Sequence, residues 1–339
     1  MTILIFFIVL SVLVLAHEWG HFITAKRAGA KVEEFGFGFP PKIFSFVKNG
    51  TVFSFNLIPF GGFVKIFGEN GLEHRHEPGS FTSLKIGRRA KIVAAGVVMN
   101  VVLGKPSLVD ENNEVLAQDI KIQVVDVVEN SPAANAGIKS GDVVKSFADV
   151  SGFKSFVKDS AGQEIVLSIK RDAEDLEIKV TPRVNPPADE GALGVALVKT
   201  GIIKSPWYLF LWQGLKDTAV LIGVIGSALF LFFKTLILEG RVMGEVAGPI
   251  GIASLTGEAY TLGLAYLLNL VAILSVNLAI LNILPFPALD GGRLVLLAIE
   301  KIKGSPVNHK VENAINTAGF ALLLALMVFV TWKDIAKLF

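Results

Sequence analysis

Apolar residues run in long blocks along this chain, and polar side chains interrupt them at only a few places. Residues 3 to 25 form one such block, broken only by "HEWGH" in its C-terminal third and followed by Lys26, Arg27 and Lys31. A helix needs roughly 20 apolar residues to cross the hydrocarbon core of a bilayer, so this block predicts a first span. Residues 33 to 67 differ: "TVFSFNL" and "GGFVKIF" alternate about Pro59-Phe60-Gly61, predicting a β-hairpin or small sheet rich in exposed Phe. After a polar stretch ending in "KIGRRAK", a second apolar segment runs from Ile92 to Leu103 and stops at Lys105-Pro106. Counted from Ala90 it gives about 14 residues, or roughly 21 Å of helix against a core of roughly 30 Å. Either the helix extends into its flanks with snorkelling basic residues, or the bilayer thins around it, or the span has been shortened.

Residues 107 to 185 alternate as a soluble domain does. "IKIQVVDVV", "EIVLSIKR" and "LEIKVTPR" read as strands around "SPAANAGIKSGDVV", a turn-helix-turn marked by Pro132, Gly137 and Gly141, and Asn185-Pro186-Pro187 reads as a linker. Residues 206 to 238 are apolar again but carry Lys216, Asp217 and Lys234, and "GEVAGPIGIASLTGEA" is a Gly-rich loop. Leu262 to Leu284 predicts a further span, "PFPALDGGR" interrupts it, and Ile315 to Val330 predicts the last.

Composition agrees with this pattern. Of 339 residues, 52% are hydrophobic and 18% charged, with a mean hydropathy of +0.58, which marks an integral membrane protein. A net charge of +2 gives no electrostatic footprint for nucleic acid. The chain has no cysteine, so any transition-metal site must use His and carboxylate ligands. Residues 1 to 16 lack a basic leader, and no small-residue cleavage site follows, so the first span is read as retained rather than as a signal peptide. Basic stretches at 26 to 48, 85 to 91 and 301 to 310 predict three cytoplasmic loops, which puts the N-terminus and the 107 to 185 domain outside.

The interruption in the first block carries the chemistry. His17 and His21 are four residues apart and share one helical face, close enough to hold one zinc ion together, while Glu18 is turned aside as a base toward water. On a surface helix the same letters would read as two ordinary histidines and a solvated glutamate. Within an apolar span, three polar side chains point to function. A third ligand is required, and Asp290 in "NILPFPALDGG" is the candidate, because helix-breaking residues at membrane depth are tolerated only against protein or a water-filled cavity. Alone, Asp290 would read as the cap of a helix starting at Gly291. His74 and His76 in "EHRHE" read as a solvated loop, and His309 is isolated.

"HEWGH" in the first span with "NILPFPALDGGR" in a late one resembles the site-2 protease family of intramembrane zinc metalloproteases. "SPAANAGIKSGD" resembles its PDZ domain, "LIPFGGFVKIFGE" its membrane-associated β-region, "GVVMN" a G-x-x-x-N motif of its second span, and "AGPIGIA" also fits. The resemblance implies a multi-span α-helical membrane protein with a membrane-associated β-hairpin region and one inserted PDZ-like α+β domain. Its segments would be the first span (1–32), the β-region (33–68), a basic loop and short second span (69–104), the PDZ-like domain (105–187), a membrane-surface or half-inserted helix with a Gly-rich loop (188–261), and two C-terminal spans (262–339). It implies zinc held by His17, His21 and Asp290, Glu18 as catalytic base, and substrate contacts from Asn282, Pro285, Pro287 and Asn100. The implied substrates are single-span proteins in the bilayer, such as anti-sigma factors or remnant signal peptides, cut at a bacterial inner membrane nearer its cytoplasmic side. The chain departs from the family pattern in having one PDZ rather than a tandem pair, a short second span and an apolar 206–238 stretch.

Three alternatives remain open from the residues alone. A PDZ scaffold with a structural metal would want a fourth protein ligand. A metal transporter would want further intramembrane carboxylates or histidines, and Asp217 and Glu239 are the nearest. The Phe-rich region either pairs with an unwound substrate strand or is a packed hairpin with no such role. Parity of crossings makes 206–238 a half-inserted or in-plane helix on the outer leaflet rather than a complete span.

Overall fold

The first apolar block and the HEWGH motif fold as one unbroken helix, α1 (Thr2–Ala28). It stops where Gly29 turns left-handed at φ 89°, with Lys26 and Arg27 in the last turn against the negative end of the helix. The computed structural model describes residues 1–69, 77–103, 117–147, 149–171, 174–187, 190–203, 207–239 and 247–336. His74, His76, Lys105-Pro106 and the start of the Gly-rich loop lie outside the described residues. The chain divides into two units, one drawn from residues 1–106, 215–257 and 270–339, the other from 107–214 and 258–269.

In the first unit β1 (Val32–Lys48) and β2 (Thr51–Ile66) pair through a turn at Asn49 and Gly50, whose φ values of 50° and 73° are those an Asn-Gly hairpin turn demands. Their register is unusual. Glu34 faces both Val52 and Lys65, and Phe37 faces both Phe55 and Gly62. β2 therefore wraps around the middle of β1, and residues 62–66 become an outer edge, with no further strand beyond them among the described residues. The sheet is fixed to α1 by aromatic rings: Phe22 lies 5.5 Å from Phe35 and 5.7 Å from Phe53, and Trp19 lies 5.1 Å from Phe22. The far end of the hairpin leaves Ile43, Phe44, Phe46 and Val47 exposed, an apolar surface suited to lipid.

α2 (Ile86–Leu103) begins four residues before Ala90 and takes Arg88, Arg89 and Lys91 into its first turns. Its 18 residues give about 27 Å of helix, so the short second span extends into its basic flank. α1 and α2 approach closely because both carry glycine at the crossing. A Cβ on Gly20 would strike the Ala95 carbonyl, and one on Gly96 would stand 2.6 Å from His17 Cε1 and 2.7 Å from its Nε2.

The second unit is an antiparallel sheet of β3 (Ala117–Val127), β4 (Val143–Val144), β5 (Ile165–Arg171), β6 (Glu174–Val180) and β7 (Val195–Ile203), in the order β6-β5-β4-β3-β7. Two short helices join it: α3 (Pro132–Asn135), capped by Ser131, and α4 (Val150–Asp159), capped by Asp149. Its core contains Ile122, Val124, Phe153, Leu167 and Ile169. The unit continues past Asn185-Pro186-Pro187. Those prolines precede an edge strand, where a missing N–H is tolerated, and β7 then pairs along β3.

Five helices follow among the described residues. α5 (Trp207–Glu239) is continuous over 33 residues, about 50 Å, despite Lys216 and Lys234. α6 (Pro249–Leu262), α7 (Leu264–Ile283), α8 (Asp290–Lys303) and α9 (His309–Ala336) complete the chain. Thr2–Ala28, Leu264–Ile283 and Lys310–Ala336 are each long and apolar enough to cross a membrane, so this is a multi-span helical membrane protein with an added β-region. Within the first unit, the Gly248 and Gly251 N–H groups donate to the Asp334 carboxylate at 3.2 and 2.8 Å, and Gly257 abuts Thr2. The start of α1, the end of α9 and residues 248–257 therefore lie together. At the other end of α1, Ala25 joins Ile92, Val93 and Leu297 in one buried cluster, and Arg89 of α2 donates to both Glu300 oxygens at 2.9 Å.

Candidate metal centre

The chain unwinds after Ile283 and re-forms a helix at Asp290. Leu289 occupies the cap position without a side-chain bond, so the Asp290 carboxylate is not used to cap its own helix. It points to α1 instead. Asp290 Oδ2 lies 3.1 Å from His17 Nε2 and 3.3 Å from His21 Nε2, and the two histidine nitrogens are 3.1 Å apart. All three side chains are largely buried, with 9%, 13% and 16% of their surface exposed for His17, His21 and Asp290.

Three ligand atoms on zinc at 2.0–2.1 Å in tetrahedral geometry stand about 3.3–3.4 Å apart. The observed triangle, with edges of 3.1, 3.1 and 3.3 Å, is close to one face of such a tetrahedron and leaves the fourth corner to the cavity. The donor set also fits: two imidazole nitrogens and one carboxylate oxygen, the His-rich set that zinc hydrolases use. His21 is oriented from behind, because its Nδ1 lies 2.8 Å from the Ile92 carbonyl, which only accepts; the proton sits on Nδ1, and Nε2 offers its lone pair forward. Gly96 leaves room for both rings. Ala288, two residues before Asp290, holds a left-handed φ of 71°, and its N–H donates to Asn316 Oδ1 at 3.2 Å.

A cavity of about 360 Å³ opens on the triad. Glu18 lines it with Asn282, Arg293, Glu69 and the edge residues Gly62, Phe63, Val64 and Ile66. A Cβ on Gly62 would sit 3.5 Å from Glu18 Cγ, so the strand edge passes directly beside the candidate base. Asn282 Nδ2 stands 3.4 Å from His17 Nε2. The other expected substrate contacts lie elsewhere. Pro285 is exposed, Pro287 packs against Gly319 of α9, and Asn100 is fully buried with its side chain on the back of His17. Glu69 and Arg293, which stand in "FGE" and "DGGR", form an ion pair at the cavity wall that no sequence signal pairs. The Ile92 carbonyl carries no sequence signature at all.

The Peptidase family M50 model matches residues 5–326. A zinc metalloprotease RasP of Shouchella clausii is 30% identical over 100% of this chain and 99% of its own length. A putative zinc metalloprotease of Clostridium perfringens is 36% identical over 96% of each chain. The regulator of sigma-W protease RasP of Bacillus subtilis is 30% identical over 100% of this chain and 99% of its own. With a two-histidine, one-carboxylate centre beside a glutamate in its first apolar helix, the chain belongs to peptidase family M50, the site-2 proteases, and is a zinc metalloprotease.

Proposed function

We propose that this protein is an intramembrane endopeptidase that hydrolyses peptide bonds within or near the spanning segment of single-span membrane proteins. One observation carries the proposal: the His17–His21–Asp290 triangle is built on an apolar spanning helix. His17 lies about 23 Å of helix from Thr2, and Lys26 only about 8 Å beyond His21, which favours a site nearer the basic, cytoplasmic face. The anti-sigma and remnant signal-peptide class follows the family resemblance, and the Bacillus subtilis relative bears the name regulator of sigma-W protease. The alternating strands and short helices of the second unit support a PDZ-like domain, placed outside the cytoplasm, that screens substrates.

When bound, zinc would supply a Lewis acid that polarises the scissile carbonyl and acidifies water. The chain supplies the rest. The open edge at residues 62–66 offers backbone N–H and C=O groups to which an unwound substrate pairs as an added strand, exposing a bond that its own helix would shield. Glu18 takes the proton of the attacking water and returns it to the leaving amine. Asn282 donates its amide N–H to the carbonyl oxygen as charge develops there. Leu278 and Val14 on the cavity wall limit how much water enters.

Co-expression with a panel of tagged single-span proteins tests this, comparing wild type with Glu18→Gln. Cleavage within an apolar segment is expected only for wild type, because loss of a positioned base lowers the rate by about 10²–10⁴-fold. Comparable cleavage by Glu18→Gln would remove Glu18 from the mechanism.

A further inference from the structure

His17 and His21 are held in different ways. Behind His21 stands the Ile92 carbonyl, which can only accept. Behind His17 stands the Asn100 amide, with Nδ2 at 3.2 Å from His17 Nδ1, while Asn100 Oδ1 is buried with no hydrogen-bond partner. In that arrangement the amide donates, so the His17 proton belongs on Nε2, which lies 3.1 Å from the accepting Nε2 of His21. A ligating Nε2 must instead offer its lone pair forward and keep its proton on Nδ1. The present donor would then meet a second donor.

A half-turn of the amide resolves the conflict, because it brings the unpartnered oxygen to Nδ1. We propose that Asn100 is the positioning residue for His17: turned over, its amide oxygen accepts from Nδ1–H and holds Nε2 forward for zinc. The fold leaves the residue little else to do. Asn100 is fully buried, its backbone carbonyl accepts from the Ser275 hydroxyl at 2.9 Å, and that bond fixes the α2 backbone against α7 while the side chain remains free to turn. A carboxylate would accept equally well but would bury a further charge behind the ligands. An amide supplies the acceptor without charge.

This inference rests on the zinc centre proposed above, and the zinc dissociation constant of the purified full-length protein, from competition with a chelator, separates the two. Asn100→Leu keeps the branched shape and removes both hydrogen-bonding groups; zinc affinity is expected to fall roughly 10–100-fold. Asn100→Asp supplies the acceptor alone and is expected to hold zinc within a few-fold of wild type. Wild type without zinc affinity would overturn the centre itself. Wild-type affinity in Asn100→Leu would leave the centre standing and overturn the role of Asn100. Should Asn100→Leu fail to fold, the Asp variant decides, and a 10–100-fold loss there would overturn the proposal.

Discussion

Ala288 is a strained residue in the turn that delivers Asp290 to the histidines. Its φ of 71° is one that costs a residue with a Cβ about 1–2 kcal/mol, and it is held by the bond to Asn316 and by Pro287 packed on Gly319. Ala288→Gly is therefore expected to stabilise the protein by about 0.5–1 kcal/mol, after allowing for the greater freedom of glycine in the unfolded chain. Thermal unfolding in detergent checks this, and a clear loss of stability would mean that the alanine methyl packs more than it strains. At this scale the candidate ligands were legible in the sequence. Two histidines one turn apart and a glutamate between them stand out in an apolar run, and Asp290 stands out once an incomplete ligand set needs a partner at a helix break. The residues behind the ligands were not. A backbone carbonyl such as that of Ile92 has no letter of its own, and Asn100 shows its partner only when α2 is laid against α1.

Between elements, the Arg89–Glu300 pair ties α2 to α8 at the opposite end of α8 from Asp290, with only 13% and 14% of the two side chains exposed. Glu300→Gln keeps the shape of the pair but leaves a largely buried guanidinium without its counter-charge. A loss of about 3 kcal/mol is expected, since breaking a buried pair from one side is strongly destabilising. An unchanged unfolding midpoint would show that water already screens the pair. The length of the apolar blocks found the spanning helices, and alternation found three strands of the second unit, because each strand buries one face. These patterns missed β7, an edge strand placed after two prolines, and they started α2 too late, because Arg88 and Arg89 lie in a helix whose polar turns face Glu300 and the Phe81 ring. The wrapping of β2 around β1 was hidden for another reason: one strand segment pairs on both edges, and alternation along a sequence records faces, not neighbours.

For the whole molecule, the proposed orientation fixes which ends of the chain see the outside. Thr2, residues 248–257 and Asp334 lie together, and the basic turns at Lys26, Arg88 and Lys301 belong to the segments assigned to the cytoplasm. The chain has no native cysteine, so single cysteines report cleanly. Val184→Cys and Tyr260→Cys, at exposed positions, are expected to label with an impermeant maleimide from outside intact cells, and the highly exposed Ile302→Cys only after lysis. Labelling of Val184 and Tyr260 from opposite sides would mean that α5 crosses the bilayer completely, which breaks the proposed parity. The central claim is that opposite ends of the chain meet in one zinc centre within a spanning helix. Zinc content of the purified protein by elemental analysis tests it most directly. One zinc per chain is expected for wild type and almost none for His21→Ala or Asp290→Ala, since a site reduced to two protein ligands holds the ion poorly; a wild type without zinc, or variants that keep it in full, would contradict the account.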